Sequence, residues 1–317
     1  MNILITWTSW FIWFFTAKAL LERWEKVIWV DIENDYYDVN LKLSRRKVLE
    51  SYKNFKFYKI WLEDLESLEK VFQENNIDKV CNLAAQAWVR YSIENPFAYI
   101  NSNIVWFHNI INLSTKYKVK NFVYASSSSV YGKNEKQPFS VDDKVDNPIS
   151  LYAATKKTNE LIAHTYSHIH KLPTTWLRFF TVYWPFSRPD MAMLKFALKM
   201  RSWKEIEVYN NWEMQRDFTY IDDIVTWVIA SLDNISEYEV FNLWNDKPVK
   251  LEYMIDLLEK NLWIKANKKY LPMQPWDVKS TWSDIEHTYE KLNWKPTTSI
   301  EDWIKKFSEW FLEYYKQ

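Results

Sequence analysis

The sequence predicts an α/β protein built on a doubly wound parallel sheet, with a smaller α/β region towards its C-terminal end. Two observations support this prediction. Apolar segments of strand length alternate with amphipathic helical segments through about residue 180. Beyond that point the elements are shorter, and prolines separate them. A chain of 317 residues is long enough for one large or two modest domains with a substantial buried core.

The predicted elements follow one another regularly. Strand-like segments cover residues 3–5, 26–30, 55–60, 79–83, 121–125 and 174–179. Helical periodicity covers residues 11–23, 39–51, 64–75, 97–117, 150–170 and 190–201. Because a helix lies between one strand and the next, neighbouring strands are expected to run parallel, with helices on both faces of the sheet.

Composition excludes several classes of protein. Lys plus Arg and Asp plus Glu both number 41, so the net charge of zero argues against nucleic acid or an anionic membrane as the main partner. The 48% hydrophobic content excludes a disordered chain. Cys81 is the only cysteine, which excludes an intramolecular disulfide and a cysteine-rich zinc site. We therefore expect a reducing compartment, the cytoplasm.

Glycine and tryptophan occur in unusual proportions. The chain has one Gly, Gly132, and 20 Trp, whereas globular proteins contain about 7% Gly. A fold of this size needs Gly where φ is positive and where two backbones approach closely. Two hypotheses follow: the protein is truly rich in Trp, or most of its Trp positions are Gly in the functional protein.

The N-terminal segment distinguishes these hypotheses. With Trp, the apolar segment Ile3–Leu21 resembles a signal peptide or a membrane anchor. However, no basic residues precede it, Lys18 lies within it, and no small-residue cleavage site follows. With Gly at Trp7, Trp10 and Trp13, the segment instead becomes a strand, a G-x-x-G-x-x-G loop and an amphipathic helix.

The next predicted strand, 26–30, extends this pattern. It ends at Asp31, about 20 positions after the loop. A strand, a glycine loop, a helix and a second strand that ends in an acid are typical of a dinucleotide-binding Rossmann unit. We therefore assign residues 1–180 to a dinucleotide-binding Rossmann domain. Residues 181–317 are assigned mainly to a smaller α/β region that caps the substrate, with some segments returning to the first.

The same replacement explains other Trp positions. Trp212 becomes part of an Asn-Gly turn, Trp263 a Gly that ends a helix, and Trp276 part of a Pro-Gly turn. Eighteen of the 20 Trp fit Gly; the exceptions are Trp294 and Trp310, where an aromatic side chain is reasonable. A source that translates UGA as Gly, decoded with a table that translates UGA as Trp, would produce this pattern.

The strongest chemical signal is a Tyr and a Lys at helical spacing. Tyr152 and Lys156 share one helix face, where an ammonium beside a phenol favours the phenolate. Ser126–Ser129 follow the predicted strand 121–125, and hydroxyls at the carboxyl end of a strand face the ligand crevice of such sheets. Ser, Tyr and Lys that converge on a nicotinamide ring form a hydride-transfer site.

In order along nearly the whole chain, these motifs resemble those of the extended short-chain dehydrogenases/reductases, and within them the UDP-glucuronate 4-epimerases. The matching segments are 6–13, 34–38, 82–90, 126–132, 150–157, 177–185 and 216–223. Segments 34–38 and 187–191 point to the UDP-glucuronate subgroup. The family also carries Gly where this chain has the eighteen Trp.

The resemblance implies NAD as cofactor. The implied cofactor-binding residues are Trp7, Trp10, Phe11, Ile12 and Trp13 through their backbone, Asp31, Ala84, Ala85, Gln86 and Lys156. Asp31 would bind the adenosine ribose, and its charge would repel a 2′-phosphate, which favours NAD over NADP. The family usually has an Asp near Trp61, which this chain lacks, so the adenine contacts there are not assigned. Indoles at positions 7, 10 and 13 would prevent the backbone from approaching a pyrophosphate.

The implied reaction is inversion of a UDP-sugar at C4. Tyr152 would be the general base on the 4-hydroxyl, aided by Ser127 and Ser128, while Lys156 binds the nicotinamide ribose. A tightly held 4-keto sugar would rotate and receive its hydrogen on the other face. NAD would be regenerated in each cycle and would stay bound.

The resemblance also implies how the substrate is held. Arg188, with Thr181 as a second contact, would grip the C5 carboxylate of UDP-glucuronate. Arg216 and Asp277 would contact the UDP portion. A purely structural Arg188 that bridges Asp190 or another acid of the loop is the alternative.

Other functions share parts of this pattern. A UDP-glucose or UDP-N-acetylglucosamine 4-epimerase would have much the same site. Decarboxylases and dehydratases of the family place an acid within or just after the Ser strand end, where this chain has Val130 after four serines. A non-catalytic NAD-binding protein would not need the intact Ser, Tyr and Lys.

The remaining expectations concern metals and partners. His164 and His168 could share a helix face, but no carboxylate or cysteine completes a metal site, so we expect none. We expect a UDP-sugar substrate, no nucleic acid, no membrane and a homodimer.

Overall fold

The structure, a computed structural model, describes residues 1–6, 11–33, 39–87, 89, 91–183, 191–209, 215–217, 219–245, 247–272 and 280–315. For residues 11, 215–217, 280 and 281 it describes the backbone alone.

The strands of the described chain form one large sheet and three small ones. They are β1 (Asn2–Thr6), β2 (Lys26–Asp31), β3 (Phe55–Lys59), β4 (Lys79–Asn82), β5 (Asn121–Ser127), β6 (Thr174–Phe179), β7 (Val182–Tyr183), β8 (Ile206–Tyr209), β9 (Gln215–Asp217), β10 (Thr219–Tyr220), β11 (Tyr238–Leu243), β12 (Pro248–Lys250), β13 (Lys268–Leu271) and β14 (Ser280–Thr281). The large sheet has the order β11-β6-β5-β4-β1-β2-β3, and every neighbouring pair in it is parallel. The prediction of a doubly wound parallel sheet is confirmed.

The helices connect these strands. They are α1 (Phe11–Glu22), α2 (Val39–Leu49), α3 (Leu65–Asn75), α4 (Tyr91–Glu94), α5 (Pro96–Tyr99), α6 (Trp106–Lys116), α7 (Leu151–His170), α8 (Ala192–Arg201), α9 (Ile221–Asp233), α10 (Leu251–Leu262), α11 (Glu286–Leu292) and α12 (Ile300–Tyr314). A π-helical segment, Ile100–Val105, joins α5 to α6, and a 3₁₀ turn, Ser128–Tyr131, follows β5.

Alternate side chains of the central strands enter two different cores. In β5, Phe122 and Tyr124 lie in the core on one face of the sheet, and Val123 and Ala125 lie in the core on the other. Since side chains alternate between the faces of a strand, both faces of β5 are buried. This explains why the strand is a continuous apolar segment in the sequence.

The order of the strands creates a crevice at the sheet's centre. The chain proceeds from β1 to β2 and β3 on one side, and from β4 to β5 and β6 on the other. In such sheets ligands bind at the carboxyl ends of the strands, where the order reverses. Thr6, which ends β1, and Asn82, which ends β4, are joined there by a buried hydrogen bond of 2.6 Å from Thr6 Oγ1 to Asn82 Oδ1.

Part of the second half of the chain returns to the large sheet. Strand β11 pairs in parallel with β6. Helix α9 packs behind β5, where Asn121 Nδ2 donates to the carbonyl oxygens of Ser231 and Leu232 at 3.0 and 3.1 Å. The small sheets, β12-β9-β14, β13-β8 and β10-β7, all include strands from beyond residue 180.

The apolar N-terminal segment forms β1 and α1. Helix α1 has 12 residues, and it packs under the sheet through Ala17 and Leu20, which are buried. No helix within the described ranges combines the length and the apolar character that a membrane crossing requires.

Three of the Trp residues occupy left-handed helix ends. Trp24, Trp203 and Trp263 follow α1, α8 and α10 with φ of 63°, 55° and 61°. Left-handed backbone is strained for a residue with a side chain and is where helices most often place Gly. Their indoles are 89%, 80% and 89% exposed, so packing does not compensate for the strain. These positions therefore favour Gly.

Other Trp residues are buried without satisfying their ring nitrogen. Trp29 in β2, Trp176 in β6 and Trp244 after β11 are at most 3% exposed. The indole Nε1 of each has no hydrogen-bond partner within the described part of the chain. An unsatisfied buried donor costs about 1–3 kcal/mol, and Gly at these positions would remove it. The strained helix ends and the unsatisfied buried indoles therefore both support the hypothesis that most Trp positions are Gly in the functional protein.

Candidate active site

A cavity of about 390 Å³ lies over the carboxyl ends of the central strands. Its walls come from α1, β5, β6, α7 and the segments that follow β4 and β6. The lining residues with hydroxyl, phenol or ammonium groups are Ser126, Ser127, Ser129, Tyr152, Lys156 and Thr181. The sheet therefore brings together hydroxyl, phenol and ammonium groups from widely separated parts of the sequence.

Helix α7 supplies the Tyr and the Lys. It begins after Ser150, whose Oγ accepts a hydrogen bond from the Ala153 backbone N–H at 3.1 Å. This cap places Tyr152 in the first turn and Lys156 one turn later, with both side chains on the cavity wall. The Tyr152 ring packs edge-on against buried Tyr99, with ring centroids 6.1 Å apart.

Lys156 is buried and directed at β5. Its Nζ donates to the carbonyl oxygen of Ala125 at 2.7 Å, and 2% of the residue is exposed. Burial lowers the pKa of Lys156 to about 7, and the charge of Glu160, one turn further along α7, opposes that shift. The ammonium form therefore depends on nearby negative charge and hydrogen-bond acceptors.

Ser127 lies at the end of β5, where the 3₁₀ turn begins. Its Oγ accepts from the Ser129 N–H at 3.2 Å and caps the turn. Ser129 lines the cavity, whereas Ser128 is half-buried and is not among the lining residues. The sequence analysis placed Ser126–Ser129 together at the crevice and gave no separate role to Ser129, because four consecutive serines give no sign of which ones a turn will direct inward. The roles of Ser127 and Ser128 remain predictions.

Asp31 ends β2 as predicted and is 3% exposed. One carboxylate oxygen, Oδ1, accepts from the Glu33 N–H at 2.7 Å, which fixes the side chain at the strand end. Glu33 itself is paired with Arg46, with Nη1 2.7 Å from Oε2. Burial raises the pKa of Glu33. The carboxylate of Asp31 thus lies at the carboxyl end of β2, and its contact with an adenosine ribose remains a prediction.

The segment after β4 is held by an asparagine that the sequence analysis missed. Asn103 Oδ1 accepts from the Gln86 N–H at 2.7 Å, and its Nδ2 donates to the Gln86 carbonyl at 3.1 Å and to Thr155 Oγ1 at 3.0 Å. Ala84, Ala85 and Gln86 are buried, and Ala85 lines the cavity. A polar residue on the buried face of the predicted helix 97–117 was the signal that could have identified Asn103.

The polar residues fit NAD, but one indole does not. Trp13 is 6% exposed and lies in the cavity wall, where it packs edge-on against Phe179 with centroids 6.0 Å apart. It follows the N-terminus of α1, where the backbone of a dinucleotide-binding loop must approach the pyrophosphate. A side chain of this size occupies that approach, and Gly would open it. Ile12 also lines the cavity, whereas only the backbone of Phe11 is described.

Several predicted site residues lie outside the described residues. Trp7, Trp10, Arg188 and Asp277 fall in this group. Arg216 is in β9, where only the backbone is described. Of the predicted sugar contacts, the structure brings Thr181 into the cavity. In the described part of the chain no cluster of His, Cys, Asp and Glu could hold a metal ion.

The fold and the cavity define a class: an α/β dinucleotide-binding protein with a serine, a tyrosine and a lysine at its strand ends. The sequence profile of the NAD dependent epimerase/dehydratase family matches residues 12–243. The chain belongs to this family, and the resemblance inferred from its motifs is confirmed.

Individual relatives are similar over the whole chain. The Protein CapI of Staphylococcus aureus is 48% identical, with 100% of both chains covered. The UDP-glucuronate 4-epimerase of Thermodesulfobacterium geofontis is 41% identical over 98% of this chain and 96% of its own. Among solved structures, the UDP-glucuronic acid 4-epimerase of Bacillus cereus, in complex with UDP-glucuronic acid and NAD, has a TM-score of 0.90. It is 31% identical, with 99% of this chain and 100% of that chain covered.

Proposed function

We propose that this chain is an NAD-dependent UDP-sugar 4-epimerase, an isomerase that converts UDP-glucuronate to UDP-galacturonate. The observation that carries the proposal is the convergence of Ser127, Tyr152, Lys156 and Thr181 on one cavity. This cavity belongs to a chain of the NAD dependent epimerase/dehydratase family with full-length relatives named UDP-glucuronate 4-epimerase. The same geometry would serve UDP-glucose or UDP-N-acetylglucosamine, and the sugar carboxylate is what separates these candidates.

NAD, when bound, accepts the hydrogen of the sugar C4 as a hydride and later returns it to C4. The protein's own residues handle the proton. Tyr152 removes the proton of the 4-hydroxyl as general base. Lys156, in its charged form, stabilises the phenolate and hydrogen-bonds the nicotinamide ribose. Ser127 donates a hydrogen bond to the developing 4-keto oxygen, with Ser128 as the second candidate and Ser129 as a further hydroxyl in the cavity wall.

The residues around Ser127 favour epimerisation over elimination or decarboxylation. A lyase needs an acid or a base that acts on the keto intermediate beyond C4. The residues that follow Ser127 are Ser128, Ser129 and Val130, and no carboxylate is among the described residues that line the cavity. The alternatives of a nucleotide-sugar dehydratase and a UDP-glucuronate decarboxylase therefore have less support, as does a non-catalytic regulatory protein with the full set of reactive groups.

We further propose that the functional enzyme has Gly at every Trp position except Trp294 and Trp310, eighteen in all, and we call this form the glycine-restored chain. Two observations support this proposal. The backbone is left-handed at Trp24, Trp203 and Trp263, and the indole of Trp13 lies in the wall of the cavity that would hold the cofactor. Tandem mass spectrometry of the protein isolated from its source should find Gly at position 10 and Trp at position 310. Trp at both positions would contradict it.

Activity assays test the function itself. The glycine-restored chain should co-purify with NAD and convert UDP-glucuronate to UDP-galacturonate. The matched control has Trp at positions 7, 10 and 13 and Gly at the other fifteen restored positions. It should retain neither NAD nor activity. A glycine-restored chain that is folded, binds NAD and leaves UDP-glucuronate unchanged would contradict the proposed reaction.

The remaining substrate contacts are proposed from the resemblance. Arg188 and Thr181 hold the C5 carboxylate, and Arg216 and Asp277 hold the UDP portion. Residues 1–180 act as the NAD-binding domain, and residues 181–317 mainly bind the nucleotide sugar, with β11 returning to the large sheet. The free, buried thiol of Cys81 is consistent with a reducing compartment, and we propose the cytoplasm.

We also propose a homodimer formed through the α5–α6 and α7 region. Exposed apolar side chains, Phe97, Ile100, Val105 and Leu161, lie on these neighbouring helices, with Phe97 76% and Leu161 57% exposed. A face that spans two adjacent helices can pair with its own copy about a two-fold axis. Size-exclusion chromatography with light scattering should give the dimer mass, and Leu161→Glu should give the monomer. A monomeric parent protein would contradict this proposal.

A further inference from the structure

Behind the cavity, Glu160 of α7 and Arg178 of β6 form a buried ion pair. Arg178 Nε lies 3.1 Å from Glu160 Oε1, and Arg178 Nη2 lies 3.2 Å from Glu160 Oε2. The two residues are 3% exposed or less. Two parallel hydrogen bonds between a guanidinium and a carboxylate fix the relative orientation of both groups. The pair is therefore a rigid point between helix α7 and the sheet.

Ser127 and the 3₁₀ turn that it caps, residues 127–131, form the Ser127 turn. One end of this turn is attached to the ion pair through Ser126. Ser126 Oγ donates to Glu160 Oε1 at 2.6 Å, and the serine is 3% exposed. Ser126 directly precedes Ser127 in β5. The hydrogen bond therefore holds the last residues of the strand against α7.

The other end of the turn is attached to the pair through Tyr131. Arg178 Nη1 donates to the Tyr131 hydroxyl at 3.0 Å, and this hydroxyl donates to Asn242 Oδ1 at 2.7 Å. The Tyr131 ring stacks on Phe139, with centroids 4.6 Å apart and an angle of 5°. Tyr131 is the last residue of the 3₁₀ turn that begins after Ser127.

The turn continues into Gly132, the one position where the sequence has Gly. Gly132 has φ of 54°, and a Cβ there would lie 2.0 Å from the Asn147 carbonyl oxygen. The turn therefore needs Gly at this position, where its backbone packs directly against the backbone at Asn147. Between these fixed ends, Ser129 holds the Ser127 hydroxyl: Ser127 Oγ accepts from the Ser129 N–H at 3.2 Å and donates to Ser129 Oγ at 3.2 Å.

We propose that the Glu160–Arg178 pair is a positioning unit that holds the Ser127 turn at both ends and so sets the place of the Ser127 hydroxyl in the active site. This inference rests on the proposed function for the role of Ser127. Neither Glu160 nor Arg178 touches the reacting atoms; they act through Ser126 and Tyr131. A misplacement of about 1 Å in a reacting group can lower a rate about 100-fold. A small shift of the turn is therefore expected to lower kcat.

The pair itself should not be the first target of mutation. Removing either partner leaves a buried charge without its main counter-charge, although Lys157 Nζ also lies 3.8 Å from Glu160 Oε2. Breaking a buried pair costs about 3–5 kcal/mol and can prevent folding. Ser126→Ala and Tyr131→Phe each remove one attachment and leave the ion pair and the ring packing intact. Ser126→Thr keeps the hydroxyl and should retain most of the kcat of the parent protein. Ser114→Ala is the matched control, because Ser114 is a buried serine whose Oγ bonds the Ile110 carbonyl, in helix α6.

The experiment is a double-mutant cycle in the glycine-restored chain. Ser126→Ala should lower kcat about 10-fold with the KM for UDP-glucuronate within about 2-fold of the parent. Ser114→Ala should leave both unchanged. In a Ser127→Ala background, Ser126→Ala should lower kcat no further, because it acts through Ser127. A further fall of about 10-fold in kcat in that background would overturn the proposal. An unchanged kcat in Ser126→Ala alone would also overturn it.

A second readout does not depend on activity. The Ser129 amide donates to Ser127 Oγ, so its hydrogen exchange reports the order of the turn. Exchange of this amide should accelerate in Ser126→Ala and in Tyr131→Phe, and should remain slow in Ser114→Ala. Unchanged exchange in both variants would overturn the positioning role even if the parent proved inactive on UDP-glucuronate. An inactive parent with the expected exchange would instead count against the proposed function alone.

Discussion

Lys156 of helix α7 donates a hydrogen bond of 2.7 Å from its Nζ to the carbonyl oxygen of Ala125 in strand β5. This bond joins the helix that carries Tyr152 to the strand that carries Ser127, directly at the cavity. It also keeps the ammonium group in a buried place, where its charge can act on the Tyr152 phenol with little screening by water. The proposed chemistry depends on this juxtaposition.

Replacing the proposed general base should nearly abolish turnover. Tyr152→Phe removes the hydroxyl and keeps the ring that packs against Tyr99. General acid–base catalysis contributes about 10²–10⁴-fold, so kcat of the glycine-restored chain should fall at least about 100-fold while NAD stays bound. The measurement is steady-state turnover of UDP-glucuronate together with the NAD content. A kcat near that of the parent would mean that another residue takes the proton.

The buried lysine should make the stability of the cofactor-free protein depend on pH. The pKa of Lys156 is lowered to about 7 in the folded state, against 10.5 for the free side chain. Between these values the unfolded state binds more protons than the folded state, so the contribution of Lys156 to the free energy of unfolding rises with pH. The slope approaches about 1.4 kcal/mol per pH unit within that window.

Urea unfolding at pH 7.5 and pH 9 checks this in the cofactor-free, glycine-restored chain. Lys156→Met has no titrating group at this position, so it should lack this part of the rise in stability. Comparing the two proteins removes the contributions of all other groups. The same pH dependence in both would show that Lys156 keeps its ordinary pKa in the folded protein.

The left-handed helix ends predict a gain in stability. In the chain with Trp, single replacements Trp24→Gly, Trp203→Gly and Trp263→Gly should each raise the free energy of unfolding by about 1 kcal/mol, because the left-handed backbone is strained for Trp and not for Gly. Chemical denaturation measures each change. Trp310→Gly is the control: Trp310 is within helix α12 and packs on Phe307, so this replacement should destabilise. Loss of stability in all four variants would contradict the Gly hypothesis.

The proposed contact between Arg188 and the sugar carboxylate predicts a selective loss of affinity for UDP-glucuronate when Arg188 is removed. Arg188→Ala should weaken UDP-glucuronate binding by about 1.5–3 kcal/mol, the range for hydrogen bonds to a charged group. It should weaken binding of neutral UDP-glucose much less, and it can release a UDP-pentose by decarboxylation of the less firmly held keto acid. The measurement is one binding constant for each ligand in the parent and the variant. Equal losses for both ligands would refute the carboxylate role and favour a general UDP-hexose 4-epimerase.

Local patterns were sufficient for the first six strands of the large sheet and for the reactive pair. Tyr152 and Lys156 are four residues apart on a helix, and that spacing alone places them on one face. The predicted strands agree with β1 to β6 because apolar segments between helices leave few alternatives.

Relationships over long distances in the sequence could not be predicted. Strand β11 joins the large sheet beside β6, although it lies beyond the residue at which the alternation of elements ends. Asn103 reaches Gln86 across 17 residues. The Glu160–Arg178 pair depends on how α7 crosses β6. Each of these contacts follows from the packing of a helix or a strand, which the spacing of residues within one segment does not encode.

The most direct test of the account follows one atom. The glycine-restored chain, with no added NAD, is given UDP-glucuronate that carries deuterium at C4, and the product is analysed by mass spectrometry and NMR. The account predicts UDP-galacturonate that retains the deuterium at C4, because the hydrogen is removed and returned within one active site. Loss of the label to solvent, or no UDP-galacturonate from a protein that holds NAD, would contradict it.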